Sequence, residues 1–182
     1  MFAPSLITER LLLRHWKKTD LDPFAKMNAD PRVMAYFPKT LSTQETTDLV
    51  EQMDRMLKEK GYGPWAVEVP GIVPFIGFVG LMYQDFPADF TPCIEIGWRL
   101  AYDYWGQGYA FEAASKVMEY AFFELQLPEL VSLTSIKNKR SQKLMQKLGM
   151  TRNPKEDFDS PKVPLDSPLQ PHVIYRKKNP AA

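Results

Sequence analysis

The stretch that most restricts the fold of this chain lies between residues 94 and 113. Ile94, Ile96, Trp98 and Leu100 alternate with Glu95, Gly97 and Arg99, the period-2 pattern of a half-buried strand. Gly106-Gln107-Gly108 then interrupts the chain. Beyond it Ala110, Ala114, Val117, Met118, Ala121, Phe122 and Leu125 recur at helical spacing, which predicts a helix over about 108–125. In a strand that turns through glycines into a helix, the first helical amides have no internal partners. The helix dipole adds partial positive charge at the same place. Glycine tolerates positive φ and close approach of a ligand, so the arrangement suits an anion such as a phosphate. The same spacing also describes a plain helix start after a glycine turn. Other phosphate loops fit less well. There is no Gly-x-x-x-x-Gly-Lys run, and Phe111 stands where a dinucleotide fingerprint needs its third glycine.

The flanking segments supply packing partners for that unit. Leu11-Leu12-Leu13-Arg14 reads as a first strand, and Thr19-Asp20 as a helix start with Pro23 tolerated in the first turn. Ser42 and Glu45 make a capping box ahead of Leu49, Val50, Met53, Met56 and Leu57, predicting a helix over about 43–60. Residues 65–69 and 75–83 are strand-like around a Pro70-Gly71 turn, and 85–92 is a loop. A strand over 130–136, a short helix over about 139–148 stopped by Gly149, and a last strand over 172–177 follow. Between the last two, Pro154, Pro161, Pro164, Pro168 and Pro171 mix with Glu156, Asp157, Asp159 and Asp166. Proline breaks both helix and ladder, so 154–171 is expected to be a long irregular loop. The order β-α-α-β-β-β-α-β-α-β predicts a mixed-sheet α/β fold.

Bulk properties narrow the function. With 182 residues and 45% hydrophobic content, a single domain with a full core is expected. A net charge of +1 argues against the broad basic surface that nucleic-acid binding needs. One cysteine, Cys93, and two histidines leave no set for an intrachain disulfide or a Cys/His metal cluster. Cys93 is expected to be a small core residue more than a nucleophile. Glu9 and Arg10 near the start do not look like a signal peptide. The longest apolar run, 72–83, contains Pro74 and falls short of the ~20 residues that span a bilayer. No membrane partner and a cytoplasmic location are therefore expected.

Five pieces in order make the chain resemble the GNAT superfamily of N-acetyltransferases, and within it the RimJ/RimL-like (ribosomal-protein N-terminal acetyltransferase-like) family. Leu6-Ile7-Thr8-Glu9-Arg10-Leu11-Leu12-Leu13-Arg14 resembles the family's opening strand, and Ile94-Glu95-Ile96-Gly97-Trp98 its central strand. The run from Tyr104 to Ala113 resembles its coenzyme A loop. Asn138-Lys139-Arg140-Ser141 with Leu148-Gly149-Met150 resembles its later Asn-x-x-Ser and Leu-Gly-aromatic segment, and His172-Val173-Ile174-Tyr175 its closing strand. Two positions depart from the pattern. Trp105 stands where Arg or Gln is usual, though Gly108 and Ala110 match, and Met150 replaces an aromatic.

The resemblance implies a GNAT fold, α/β or mixed α+β: a central, mostly antiparallel, twisted sheet of six to seven strands flanked by about four helices. It implies one domain over residues 1–182, with a core at about 8–178. It also implies acetyl-CoA as cosubstrate, no metal, a primary amine as acceptor (a protein N-terminus or a small molecule), and a monomer or homodimer. The amides around Gly106, Gln107, Gly108, Tyr109 and Ala110 would hold the pyrophosphate. The strand carrying Ile96, Gly97, Trp98 and Leu100 would pair its backbone with the pantetheine arm, and a glycine inside a strand often marks a bulge or a close approach. Asn138 would bond the pantetheine, or cap the short helix. Glu95 would be the general base, unless it is a solvated sheet-face carboxylate. Ser141 would touch the cofactor and protonate the leaving thiolate, although many relatives use a Tyr and a first-turn helical Ser needs no chemical role. A backbone amide near Trp98 would meet the tetrahedral charge, and His172 reads as a packed strand residue. The acidic loop offers either a cationic-amine site or a solvated surface. A non-catalytic acyl-CoA-binding sensor or scaffold is the alternative function.

Overall fold

In the computed structural model, which describes residues 2–181, each long element follows from its local sequence. Helix α2 (Thr43–Glu59) begins where Ser42 Oγ accepts from the Glu45 amide and the Glu45 carboxylate accepts from the Ser42 amide. Its face of Val50, Met53 and Leu57 is buried. The other helices are α1 (Leu21–Ala29), α3 (Tyr109–Glu119) and α4 (Lys139–Lys147). The strands are β1 (Leu6–Ile7), β2 (Leu12–Arg14), β3 (Pro64–Val69), β4 (Val73–Gln84), β5 (Cys93–Leu100), β6 (Glu129–Ser135), β7 (Thr151–Arg152), β8 (Phe158–Asp159) and β9 (Pro171–Lys178).

These strands form one sheet in the order β1-β2-β3-β4-β5-β6-β9-β7, with β8 also pairing β9. Every pairing is antiparallel except β5 with β6. The fold is thus the expected mixed, mostly antiparallel one with four helices. Among the described residues the strand count is nine against an expected six to seven, because β1, β7 and β8 are two-residue strands with too little pattern to read from sequence.

Alternation along β3, β4 and β5 sends side chains to two cores. Trp65, Val67, Ile76, Val79, Leu81 and Ile96 pack with Ala114, Val117 and Met118 of α3. Ala66, Phe75 and Phe78 pack on the other side with Phe24 and Met27 of α1 and Val50 and Met53 of α2. The alternation slips at Gly77, whose φ is 137°. A Cβ there would lie 2.2 Å from the Arg99 carbonyl oxygen, so only glycine permits this kink.

Three local expectations change. The opening segment 6–14 is a hairpin, not one strand: Leu6 and Ile7 pair with Leu13 and Leu12 around a turn closed by the Thr8 amide on the Leu11 carbonyl. The helix expected to reach 125 is regular only to Glu119, and residues 120–124 form a π-helical turn. The proline segment is less irregular than expected, since β8 pairs with β9 at Phe158↔His172 and Asp159↔Pro171.

Candidate active site

Strand β5 is paired with β4 along its whole length, from Gln84↔Cys93 to Gly77↔Leu100. With β6 it shares one register pair, Glu95↔Val131. Beyond that pair the two parallel strands part, and the backbone edge of Ile96, Gly97, Trp98 and Leu100 faces the opening. An unpaired strand edge offers donors and acceptors to an extended ligand. Ile96 and Leu100 themselves are core side chains, so any role they have there is through the backbone. Gly97 sits in regular register opposite Gly80, without the bulge its residue type suggests. A Cβ on it would meet Cε of Met82 at 2.7 Å.

The glycine loop closes one end of this opening. Gly106 and Gly108 have φ of 76° and 84°, and Gly108 is the N-cap of α3 with no side chain capping the helix. The first amides of α3 are therefore without internal partners, and nothing lies within 4 Å of a Cβ built on Gly106. The loop fits a pyrophosphate on those grounds. Trp105 Nε1 donates to the Leu100 carbonyl at 2.8 Å and so fastens the loop to the end of β5. Gln107 Nε2 donates to the Asp103 carbonyl at 2.8 Å. Two cations flank the loop. Arg140 lies over the Trp105 ring at 4.6 Å, and Arg10 lies over the Tyr109 ring at 4.7 Å while donating to the Gln107 carbonyl at 3.0 Å. Glu112 holds Arg10 in place. Its carboxylate accepts from Arg10 Nε at 2.7 Å, from the Arg10 amide at 2.8 Å and from the Thr8 hydroxyl at 2.6 Å. Ala110 is partly buried against the core beside this turn.

On the α4 side of the opening, Asn138 caps the helix: its Oδ1 accepts from the Ser141 amide at 3.2 Å. Its Nδ2 donates to Ser141 Oγ at 3.1 Å and to Thr134 Oγ1 at 3.0 Å. Ser141 Oγ also accepts from Trp98 Nε1 at 3.3 Å. Both bonds use the lone pairs of the hydroxyl, and among the described residues no group accepts its proton.

Glu95 projects from the opposite face of β5 to Trp98, by strand alternation. Its carboxylate accepts from Gln84 Nε2 and from the Leu133 amide. Lys162 Nζ donates to Gln84 Oε1, so the proline-rich segment reaches the carboxylate through Gln84. Burial pushes the Glu95 pKa up to about 7, against the opposing pull of Lys162, Gln84 and the Leu133 amide. Glu95 is thus a half-buried, hydrogen-bonded carboxylate, not a freely solvated one. Burial and the Glu95 charge push the Cys93 thiol up to about 11, which leaves it protonated and a poor nucleophile at neutral pH. The His172 pKa is pulled down by burial, with Nδ1 2.9 Å from the Gln170 carbonyl oxygen and the ring tilted against Phe158.

Two acids of the proline segment are committed elsewhere. Asp157 pairs with Arg152, and Glu156 with Arg176 at 2.6 Å. Gln84, Lys162, Arg10 and Arg99 were not among the residues that the sequence pointed to. Only Arg99 had a readable signal, since it shares the Glu95 face of β5 by alternation. Arg10 reaches the site through a contact 97 positions apart in the chain and Lys162 through one 78 positions apart, whereas Gln84 bonds Glu95 directly across the β4–β5 pair, 11 positions away.

Comparison with known proteins matches residues 10–151 to the profile of the acetyltransferase (GNAT) domain. The Bacillus subtilis (strain 168) uncharacterized protein YkkB is 33% identical over 148 residues, covering 80% of this chain and 84% of that protein. Among solved structures, an acetyltransferase from Agrobacterium tumefaciens str. C58 aligns with a TM-score of 0.77 at 28% identity, covering 97% of this chain and 95% of that one. The ribosomal L7/L12 α-N-protein acetyltransferase RimL, solved in complex with coenzyme A, shares the fold with a TM-score of 0.77 at 13% identity, covering 98% and 100%.

Proposed function

Because this chain belongs to the acetyltransferase (GNAT) domain family and is thus an acetyltransferase, we propose that it moves an acetyl group from acetyl-CoA directly to a primary amine, with Glu95 as general base. The observation that carries this reading is a half-buried carboxylate with a pKa of about 7 beside the open edge of β5. A base poised near neutral pH is what deprotonation of an ammonium needs.

The roles follow from which face of β5 each group occupies. The loop amides from Gly106 to Ala110 hold the pyrophosphate, with Arg10 and Arg140 adding charge on either side. The edge of Ile96 to Leu100 aligns the pantetheine arm, and Asn138 borders it. Glu95 takes a proton from the amine on one face of the strand. The amine nitrogen then bonds to the thioester carbon, and a backbone amide near Trp98 stabilises the oxyanion. As the carbon–sulfur bond breaks, Ser141 donates its proton to the thiolate from the Trp98 face and regains one from water, while the acylated nitrogen releases its extra proton to solvent. Gln84 and Lys162 position Glu95 and limit how far its pKa rises. That RimL was solved with coenzyme A supports acetyl-CoA as the donor here. The proposal extends to a single domain over the whole chain, acting in the cytoplasm as a monomer or homodimer.

The test of donor binding uses Gly106→Asp. Nothing crowds a side chain at this position, and Asp tolerates positive φ better than most residues, so the fold should survive. Acetyl-CoA should raise the melting temperature of the native protein, while the variant's negative charge should weaken acetyl-CoA binding about tenfold or more. An equal shift in both proteins would remove the loop from the donor site. Acetyl-CoA binding without thiol release on any amine would instead favour an acyl-CoA sensor.

A further inference from the structure

Arg14 is buried and Arg99 half-buried, and they differ in what they hold. Arg14 donates to Asp20 at 2.8 and 2.9 Å, to Glu68 at 2.6 Å, and to the carbonyls of His15 and Pro74. Arg99 donates from Nη1 to Asn28 Oδ1 at 2.8 Å. Its Nε is buried without a hydrogen-bond partner among the described residues, and no bond from Nη2 accompanies it. Phe37 covers the guanidinium at 4.1 Å and Phe78 at 5.4 Å. These rings attract the cation but do not accept its N–H groups. Burial alone pulls the Arg99 pKa down to about 10, with no carboxylate to raise it. A guanidinium kept charged and half-buried without a counter-ion is costly.

Its position gives that cost a use. Glu95, Gly97 and Arg99 share one face of β5, opposite Met82, Gly80 and Phe78 of β4. The Gly80↔Gly97 pair places no side chain of its own between the carboxylate and the guanidinium; the methyl of the flexible Met82 side chain lies over Gly97 there and moves aside for an acceptor that spans the two. The two α-carbons lie ~13 Å apart along the strand, so one small acceptor can reach both groups. The Nε–Nη2 edge of a guanidinium matches the two oxygens of a carboxylate.

Resting on the acetyl-transfer reading above, we propose that Arg99 determines acceptor specificity by binding a carboxylate that the amine substrate carries at its far end. The acceptor class is then amino acid-like, with its amine at Glu95 and its carboxylate on the unpartnered Nε–Nη2 edge of Arg99. Two of the four acids of the acidic segment, Glu156 and Asp157, are already paired, so the proposal places recognition on Arg99. A plain alkylamine leaves the guanidinium unsatisfied and is a poor substrate.

The experiment compares glycine, 4-aminobutanoate and 6-aminohexanoate with methylamine, propylamine and pentylamine, which are the same chains without the carboxylate. Thiol release is followed at saturating acetyl-CoA on the full chain, for the native protein, Arg99→Met and Arg99→Lys. At least one carboxylated member should be favoured over its partner by about tenfold or more in kcat/KM, the scale of a charge-assisted bond. Arg99→Met should bring that ratio close to one with the KM for acetyl-CoA unchanged, and Arg99→Lys should retain part of it. A ratio unchanged in Arg99→Met, or a native preference for the alkylamines, would overturn the proposal. Melting shifts with the same carboxylates in the presence of coenzyme A separate the two readings. If nothing is acetylated yet a carboxylate stabilises the native protein and not Arg99→Met, the anion site stands and the acetyl-transfer reading falls. If native and variant shift alike, or neither shifts, the anion site is wrong.

Discussion

At the scale of single residues, the proposed role of Glu95 as base links stability to activity. Its pKa lies near 7 in the folded protein, well above that of an ordinary carboxylate, because burial outweighs the help of Gln84, Lys162 and the Leu133 amide. For the free enzyme, kcat/KM on the amine should rise as pH passes through about 7. Glu95→Gln should flatten that limb and lower activity by about 10²–10⁴-fold, the usual range for a lost general base. The stability effect has the opposite direction. Between the ordinary carboxylate pKa and 7 the folded state binds more proton than the unfolded state, so stability falls as pH rises through that window. Glu95→Gln lacks this loss. The difference in melting temperature between variant and native protein should therefore move in favour of the variant between pH 5 and pH 8. Scans at those two pH values check it, and a constant difference would mean that Glu95 titrates normally.

At the scale of elements, α3 carries both the glycine loop at its start and a packing problem at its far end. Its regular turns stop at Glu119, and the Leu125 amide reaches back five residues to the Tyr120 carbonyl at 3.1 Å. The widened turn coincides with two contacts of Tyr120. Its ring meets Trp65 edge-on at 5.7 Å, and its hydroxyl donates to the Gly61 carbonyl at 2.8 Å. The apolar stripe from Ala110 to Leu125 cannot distinguish a regular turn from a widened one, since both keep roughly the same face inward. Tyr120→Phe keeps the ring and strands the Gly61 carbonyl, so it should cost about 1–3 kcal/mol in urea denaturation. Acetyl-CoA affinity should be unchanged, because the glycine loop is at the other end of the helix.

At the scale of the whole molecule, Arg14 ties separate parts of the chain together. From β2 it reaches Asp20 ahead of α1, Glu68 of β3 and the Pro74 carbonyl in β4. Asp20 and Arg14 are 1% and 5% exposed, so neither can recover hydration if its partner is lost. Asp20→Asn should destabilise the fold by about 3 kcal/mol, the low end for breaking a buried pair, because Glu68 remains beside Arg14. A denaturation midpoint close to the native one would show that this network contributes little. The effect should be on stability more than on KM, since the network lies among β2, β3 and β4, away from the open edge of β5.

The sequence alone determined the features that are local. Alternation marked β5, the glycines marked the turn into α3, the capping box at Ser42 and Glu45 marked the start of α2, and Asn138 was legible as a cap. Ordered along the chain, these also carried the family resemblance and the position of the glycine loop. Only the tertiary structure decided the rest, because the deciding contacts join residues far apart in the chain. The parting of β5 and β6 after Glu95↔Val131 depends on how a parallel pair is packed, which no strand pattern records. Glu95 was readable as a carboxylate on a strand, but its surroundings of Gln84, Leu133 and Lys162 were not. The acids of the proline segment suggested a cation site until Arg152 and Arg176 took two of them. Arg99 looked like one more strand-face charge, and its unpartnered Nε shows only once Asn28, Phe37 and Phe78 are folded around it. Charge type is written in the sequence, whereas pairing and desolvation are properties of three-dimensional neighbours.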